Sequence, residues 1–179
     1  MAIQLVRMTA SQFLALPESN LPHELLNGEA FMSPAPTLDH QRLLLRLAKL
    51  IERLIPSGEV FIAPVDVYLD DSNVPQPDLV WVAEGSQCKS IDNKYLKGAP
   101  DLVVEIFSPG TVRRDKKDKF RLYEKFGVRE YWMIDPDEKW LEIWQLKDGK
   151  FVLVDVFGPS DSCTSPLLGK VELSLIFGN

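Results

Sequence analysis

The chain has 179 residues, of which 45% are hydrophobic and 26% charged, and its formal net charge is −6. This size and composition predict one globular domain over residues 1–179. No apolar run approaches the roughly 18 residues that cross a bilayer, so we expect no membrane partner. The acidic balance argues against broad, non-specific affinity for nucleic acid.

The two cysteines and the N-terminus indicate a compartment. Cys88 and Cys163 match no zinc or redox spacing. The first residues lack the basic start, apolar core and small-residue cleavage site of a signal peptide. We therefore expect reduced thiols and a cytoplasmic protein.

The first part of the chain predicts a hairpin, a long helix and three strands. Asn27-Gly28 is the favoured two-residue hairpin turn between "HELL" and "EAFM". Asp39 is the predicted N-cap of a helix that ends before Pro56. The polar stretch 84–98 is predicted to be a loop. The three strands are predicted in "EVFIAPVDVYLD", "PDLVWVA" and "DLVVEIF".

The second part begins with a basic helix, capped at Thr111 and ended by Gly127. The strand "REYWMID" follows, then a hairpin through Asp148-Gly149, and residues 170–177 are predicted to form a last strand. This order of elements predicts an α/β or α+β fold with a mixed sheet.

Glu105 lies inside the apolar strand "DLVVEIF". Side chains alternate along a strand, so Val103, Glu105 and Phe107 share one face. Strands of this kind are usually covered on both faces, and a buried carboxylate is costly unless it is paired or binds a metal. Asp78 opens the preceding strand, although Pro-Asp at a strand start is also a common turn device. Glu105 therefore predicts a partner charge or a metal ion.

Lys119 stands out from the basic segment 113–129, which holds eight basic and three acidic side chains. Most of these charges fit either a solvated helix face or a local contact with a polyanion. Lys119 instead falls within the apolar arc of the helix, near Tyr123 and Phe126. Three alternatives remain open: a snorkelling lysine, an ion pair with Asp115, or a lysine directed at a functional site.

Two acids on neighbouring strands and a lysine suit metal-assisted phosphodiester hydrolysis, because magnesium prefers carboxylate oxygens and a lysine can stabilise the charged transition state. Three stretches, "HELLNGEAFMSPAPTLDHQ", "PQPDLVWV" and "GAPDLVVEIFSPGTVRRDKKDKFRLYEKFGVREYWMIDPD", together resemble the Uma family of predicted restriction endonucleases, a branch of the PD-(D/E)XK nuclease superfamily. The resemblance covers about residues 20 to 150. It implies a restriction-endonuclease-like mixed β-sheet flanked by helices, with extra β-hairpins at both ends, and a Mg²⁺- or Mn²⁺-dependent endonuclease that acts on DNA.

The resemblance also implies roles for particular residues. Asp78 takes the place of the first acid and Glu105 that of the second, and both would bind the metal. The superfamily's lysine normally follows two residues after the second acid, where this chain has Phe107. The resemblance implies that Lys119 supplies this charge from the following helix, with Lys116 as the alternative.

Four further residues are weaker candidates. The resemblance gives His40 an accessory role near the scissile phosphate. Glu24 and Glu29 flank the Asn-Gly turn and would either add a ligand or face solvent. Asp101 is interpreted as a strand-start residue.

Two other functions remain open: an idle nuclease-fold module that binds a partner, and a phosphoesterase acting on small phosphates. If the chain does cut both strands of DNA, a homodimer is expected, since this needs two sites.

Overall fold

The computed structural model describes residues 7–17, 23–108 and 115–178. Its helices are α1 (Ala10–Leu14), α2 (Leu38–Leu54), α3 (Phe120–Phe126), which follows a π-helical turn at Asp115–Lys119, and α4 (Ser174–Phe177). Its strands are β1 (His23–Leu26), β2 (Glu29–Met32), β3 (Glu59–Ile62), β4 (Val67–Tyr68), β5 (Leu79–Val82), β6 (Lys89–Ile91), β7 (Tyr95–Lys97), β8 (Leu102–Ile106), β9 (Glu130–Asp135), β10 (Trp140–Lys147), β11 (Lys150–Phe157), β12 (Cys163–Ser165) and β13 (Gly169–Val171).

A six-stranded mixed sheet forms the centre, in the order β11-β10-β9-β8-β5-β3. The β8–β9 pair is parallel, whereas the other neighbouring pairs are antiparallel. The predicted fold class is confirmed: a mixed sheet is flanked by helices, with β1–β2 and β12–β13 as added hairpins. The predicted hairpin turns at Asn27-Gly28 and Asp148-Gly149 are confirmed too, and all four residues have the positive φ that this turn type needs.

The two faces of β8 pack against different layers of the core. Leu102, Val104 and Ile106 pack in the cluster that contains the buried residues of α2. Val103 and Phe107 belong to the other cluster, with residues of α3. The predicted alternation is confirmed, and it places Glu105, between these two residues, on the α3 side of the sheet.

Three predictions were wrong: the N-cap of α2, the loop at 84–98 and the last strand. Thr37, not Asp39, is the N-cap of α2, since its hydroxyl accepts from the His40 N–H at 3.2 Å. Asp39 lies in the first turn, where an acid suits the helix dipole. The predicted loop at 84–98 contains the β6–β7 hairpin, because β7 gains a second partner, β4, from a distant part of the chain.

The predicted last strand divides at its middle. Residues 169–171 form β13, but the chain then turns into α4 and packs on α2. Leu173 and Ile176 are buried while Leu175 is 44% exposed, so the pattern here is helical, with a spacing of three. The predicted helix cap Thr111 lies outside the described residues.

Glu130 joins the C-terminal segment to the sheet. It is completely buried and accepts hydrogen bonds from the Trp132 indole, the Ser165 hydroxyl and the Leu167 N–H. Burial raises the pKa of Glu130 despite these bonds. Its role is explained by these structural contacts, and it is not among the residues that line the cavity described below.

Candidate active site

Glu105 and Lys119 meet in the core. Lys119 Nζ lies 3.0 Å from Glu105 Oε1, and each side chain is only 4% exposed. The Tyr123 hydroxyl donates to the same oxygen at 2.8 Å. Lys119 ends the π-helical turn and Tyr123 lies one turn later in α3, so this helical segment brings two donors to one strand carboxylate. The partner charge predicted for Glu105 is therefore present.

Glu24 is the second anion beside this lysine. Its Oε2 lies 2.9 Å from Lys119 Nζ, and the residue is 5% exposed. The sequence left open whether Glu24 is a ligand or faces solvent, and the structure places it inside. Alternation along β1 could have signalled this, since Glu24 shares a strand face with the buried Leu26.

Asp78 lies beside Glu105 at the edge of the same sheet. Leu79 pairs with Val104 in the antiparallel β5–β8 ladder, so extending this register by one residue puts Asp78 opposite Glu105. The Ile106 N–H donates to Asp78 Oδ2 at 2.7 Å. Asp78 and Glu105 thus lie side by side on neighbouring strands, as expected from the sequence.

His40 contacts Asp78 from α2. Its Nε2 lies 3.2 Å from Asp78 Oδ1, with side-chain exposures of 13% for the histidine and 17% for the aspartate. Thr37 positions this histidine indirectly, because it caps the helix through the His40 N–H. The accessory histidine predicted near the site is therefore in contact with one of its acids.

A cavity of about 780 Å³ opens onto these side chains. Its walls come from the β1 strand, the 33–37 segment, the start of α2 and the ends of β5 and β8. The chemically informative lining residues are His23, Glu24, His40, Gln76, Asp78, Glu105 and Lys119. Asp39 and Asp137 also line it, which makes five carboxylates among the described residues, so the cavity favours cations.

Gln76 is a further polar residue in the wall of the cavity. Its Nε2 donates to Asp66 Oδ1 at 3.1 Å, which fixes the orientation of the amide because a carboxylate oxygen accepts. No donor within the described residues reaches its buried Oε1. Burial raises the pKa of Asp66, against the effects of Gln76 and His23. Sequence reasoning did not single out Gln76, and only the orphaned oxygen draws attention to it.

Other candidates lie away from this cluster. Glu29 is half-buried but does not line the cavity. The side chain of Lys116, the alternative to Lys119, lies outside what the structure describes. Asp101 accepts from the Ala83 N–H at 2.9 Å and pairs with Arg129 at 3.0 Å, which suits the interpretation as a strand-start residue.

Within the described ranges, no group of three His, Cys, Asp or Glu side chains is arranged to hold a metal ion. Magnesium does not require one, since it usually keeps several waters and uses one or two carboxylates.

Among the helices of the described residues, none is both long and apolar enough to span a bilayer.

The comparisons with known proteins concern the fold and the family. A solved structure from Anabaena variabilis ATCC 29413, described as a putative nuclease belonging to DUF820, superposes with a TM-score of 0.78. The alignment covers 95% of this chain and 97% of that one at 21% identity, so the two share a fold. The family model "Uma2: Putative restriction endonuclease" matches residues 10–175.

The chain therefore belongs to the Uma2 family, and this membership supports a nuclease function. None of the curated proteins matches the chain.

Proposed function

We propose that this protein is a Mg²⁺-dependent DNA endonuclease in which Asp78 and Glu105 bind the metal. The observation that carries the proposal is the buried Glu105, which is paired with Lys119 at 3.0 Å and lies opposite Asp78 on the neighbouring strand. Buried charges that converge on a cleft are typical of functional sites.

The donor set fits magnesium. The oxygens available for it are the carboxylates of Asp78 and Glu105, and Gln76 lines the same wall. With all groups ionised, Glu24, Glu105 and Lys119 carry one net negative charge and Asp78 adds another, so a divalent cation would balance the site. When bound, Mg²⁺ would supply a Lewis acid that polarises the phosphate and makes water more acidic.

The protein's own residues would complete the chemistry. Lys119 would place a positive charge beside the phosphate, where it stabilises the transition state or positions the attacking water. The Ile106 N–H and His40 would hold Asp78 in orientation through its two oxygens. Because Phe107 stands at the position where the superfamily carries its lysine, Lys119 is the residue proposed for that role.

The test measures metal binding and cleavage separately. Mn²⁺ is titrated calorimetrically into the wild type, Glu105→Gln and Asp78→Asn, and each protein is assayed with Mg²⁺ on plasmid and single-stranded DNA. Glu29→Gln is the matched control, since Glu29 does not line the cavity. We expect binding and cleavage in the wild type and control, and neither in the two site variants. Cleavage by Glu105→Gln at the wild-type rate would overturn the proposal.

The same experiment separates the alternative functions. Absence of both cation binding and DNA cleavage would favour the idle nuclease-fold module, which Phe107 at the usual lysine position also favours. Turnover of a small chromogenic phosphodiester with no action on DNA would favour a different phosphoesterase. The homodimer expected for cutting both strands remains a prediction, and sedimentation with DNA present measures it.

A further inference from the structure

Glu24 reaches the site because of the local structure of the N-terminal hairpin. In the β1–β2 ladder it pairs with Phe31, which packs against the same core cluster as Leu26. The hairpin therefore lies over the α3 side of the sheet with Glu24 facing inward. Its carboxylate approaches Lys119 at 2.9 Å, as close as Glu105 does at 3.0 Å.

We propose that Glu24 is a positioning residue that holds Lys119 beside the two catalytic acids. The proposal rests on the nuclease function proposed above and adds a role for the hairpin. Glu24 lies in a separate element from both proposed metal ligands, and its carboxylate pairs with Lys119.

The physical reason is a competition for Glu105. Lys119 and a divalent cation both attract this carboxylate, so a cation that draws Glu105 towards itself weakens the lysine's contact with it. A buried ammonium without a partner is costly. Glu24 offers a second carboxylate at the same distance, so Lys119 keeps an anion and remains in place when Glu105 turns to the metal.

The first test does not depend on metal or catalysis. Reductive methylation with formaldehyde and a borohydride, followed by peptide mass spectrometry, measures how fast each lysine amine reacts. Lys119 is 4% exposed, whereas Lys117 is exposed and is the internal reference. We expect Lys119 to react far more slowly than Lys117 in the wild type. It should react several-fold faster in Glu24→Gln but not in Glu29→Gln.

The second test asks whether Glu24 acts through the lysine. Glu24→Gln should lower kcat by about 10–100-fold, the usual effect of a residue that orients a site group, with little change in KM, because a residue that positions Lys119 acts on the chemical step. In a Lys119→Met background the same substitution should cause no further loss, since the residue it positions is gone. Mn²⁺ affinity is measured for the wild type, the two single variants and the double variant. If Glu24 were a direct metal ligand, its replacement would lower the Mn²⁺ affinity with and without Lys119.

Each outcome decides the question. Unchanged Lys119 labelling in Glu24→Gln, or an equal loss of metal affinity with and without Lys119, would overturn the positioning role. If Glu24→Gln unfolds, Glu24→Asp keeps the charge on a shorter side chain and should give intermediate labelling of Lys119. If the wild type neither binds Mn²⁺ nor cuts DNA, the proposed nuclease function fails while the labelling result still stands.

Discussion

Lys119 donates to Glu105 Oε1 at 3.0 Å, with both side chains almost completely removed from solvent. The pair ties the helical segment after residue 114 to the central strand β8. Because Glu24 contacts the same ammonium, one lysine joins three elements of the fold, and its removal should affect stability as well as function.

Replacing Lys119 with methionine should destabilise the protein by about 3–5 kcal/mol near neutral pH, because two buried carboxylates lose their common cation. It should also reduce cleavage to a low residual rate. Urea unfolding followed by tryptophan fluorescence measures the first effect. Lys117→Met, at an exposed position two residues earlier, should change stability little. Equal stability of the two variants would show that Lys119 is not the counter-charge.

Replacing Tyr123 with phenylalanine should remove the 2.8 Å hydrogen bond to Glu105 and leave the packing of the ring unchanged. A bond to a charged group is worth about 1.5–3 kcal/mol, and cleavage should fall about tenfold as Glu105 loses orientation. Urea titration and initial rates measure the two effects. In a Glu105→Gln background the stability cost should shrink. A cost that stays the same would place the hydroxyl's role elsewhere.

The Asp101 carboxylate should make the folding stability of the protein fall in acid. Burial opposes its ionisation, but hydrogen bonds from the Ala83 N–H, Ser86 and Arg129 outweigh this and hold the pKa of Asp101 below its usual value. A lowered pKa means that the native state binds protons less readily than the unfolded state, so the stabilisation is present above about pH 4 and is lost as the pH falls further.

The substitution Asp101→Asn tests this. The variant should be less stable than the wild type by about 1–3 kcal/mol at pH 7, with a smaller difference at pH 3. Urea unfolding at the two pH values measures the change. A difference that is constant with pH would mean that the charge of Asp101 does not contribute.

The two cysteines should resist alkylation in the native protein. Burial raises the pKa of Cys88 to about 11 and that of Cys163 to about 12, so almost no reactive thiolate exists at pH 8. Iodoacetamide followed by mass spectrometry should modify neither residue in buffer and both in strong denaturant. Rapid modification of Cys88 in buffer would contradict the burial of that thiol.

Much of the fold could be predicted because the signals are local. Alternation in β8 placed Glu105 on the correct face, and the Asn27-Gly28 turn marked the first hairpin. The β6–β7 hairpin was missed because its strands are short and polar and gain stability from β4, a distant partner. The last strand was misread because a short apolar pattern fits both periodicities until α2 is present to cover one face.

The site divides in the same way. Asp78, Glu105 and Lys119 were predicted from the sequence, since each is a charge in an apolar setting or matches a family motif. The positions of Glu24 and Gln76 were decided by tertiary structure: both reach the cavity through packing between elements far apart in the chain. The local sequence pattern thus determines on which face of a strand a side chain lies. Packing and long-range strand pairing determine which charged side chains meet on that face.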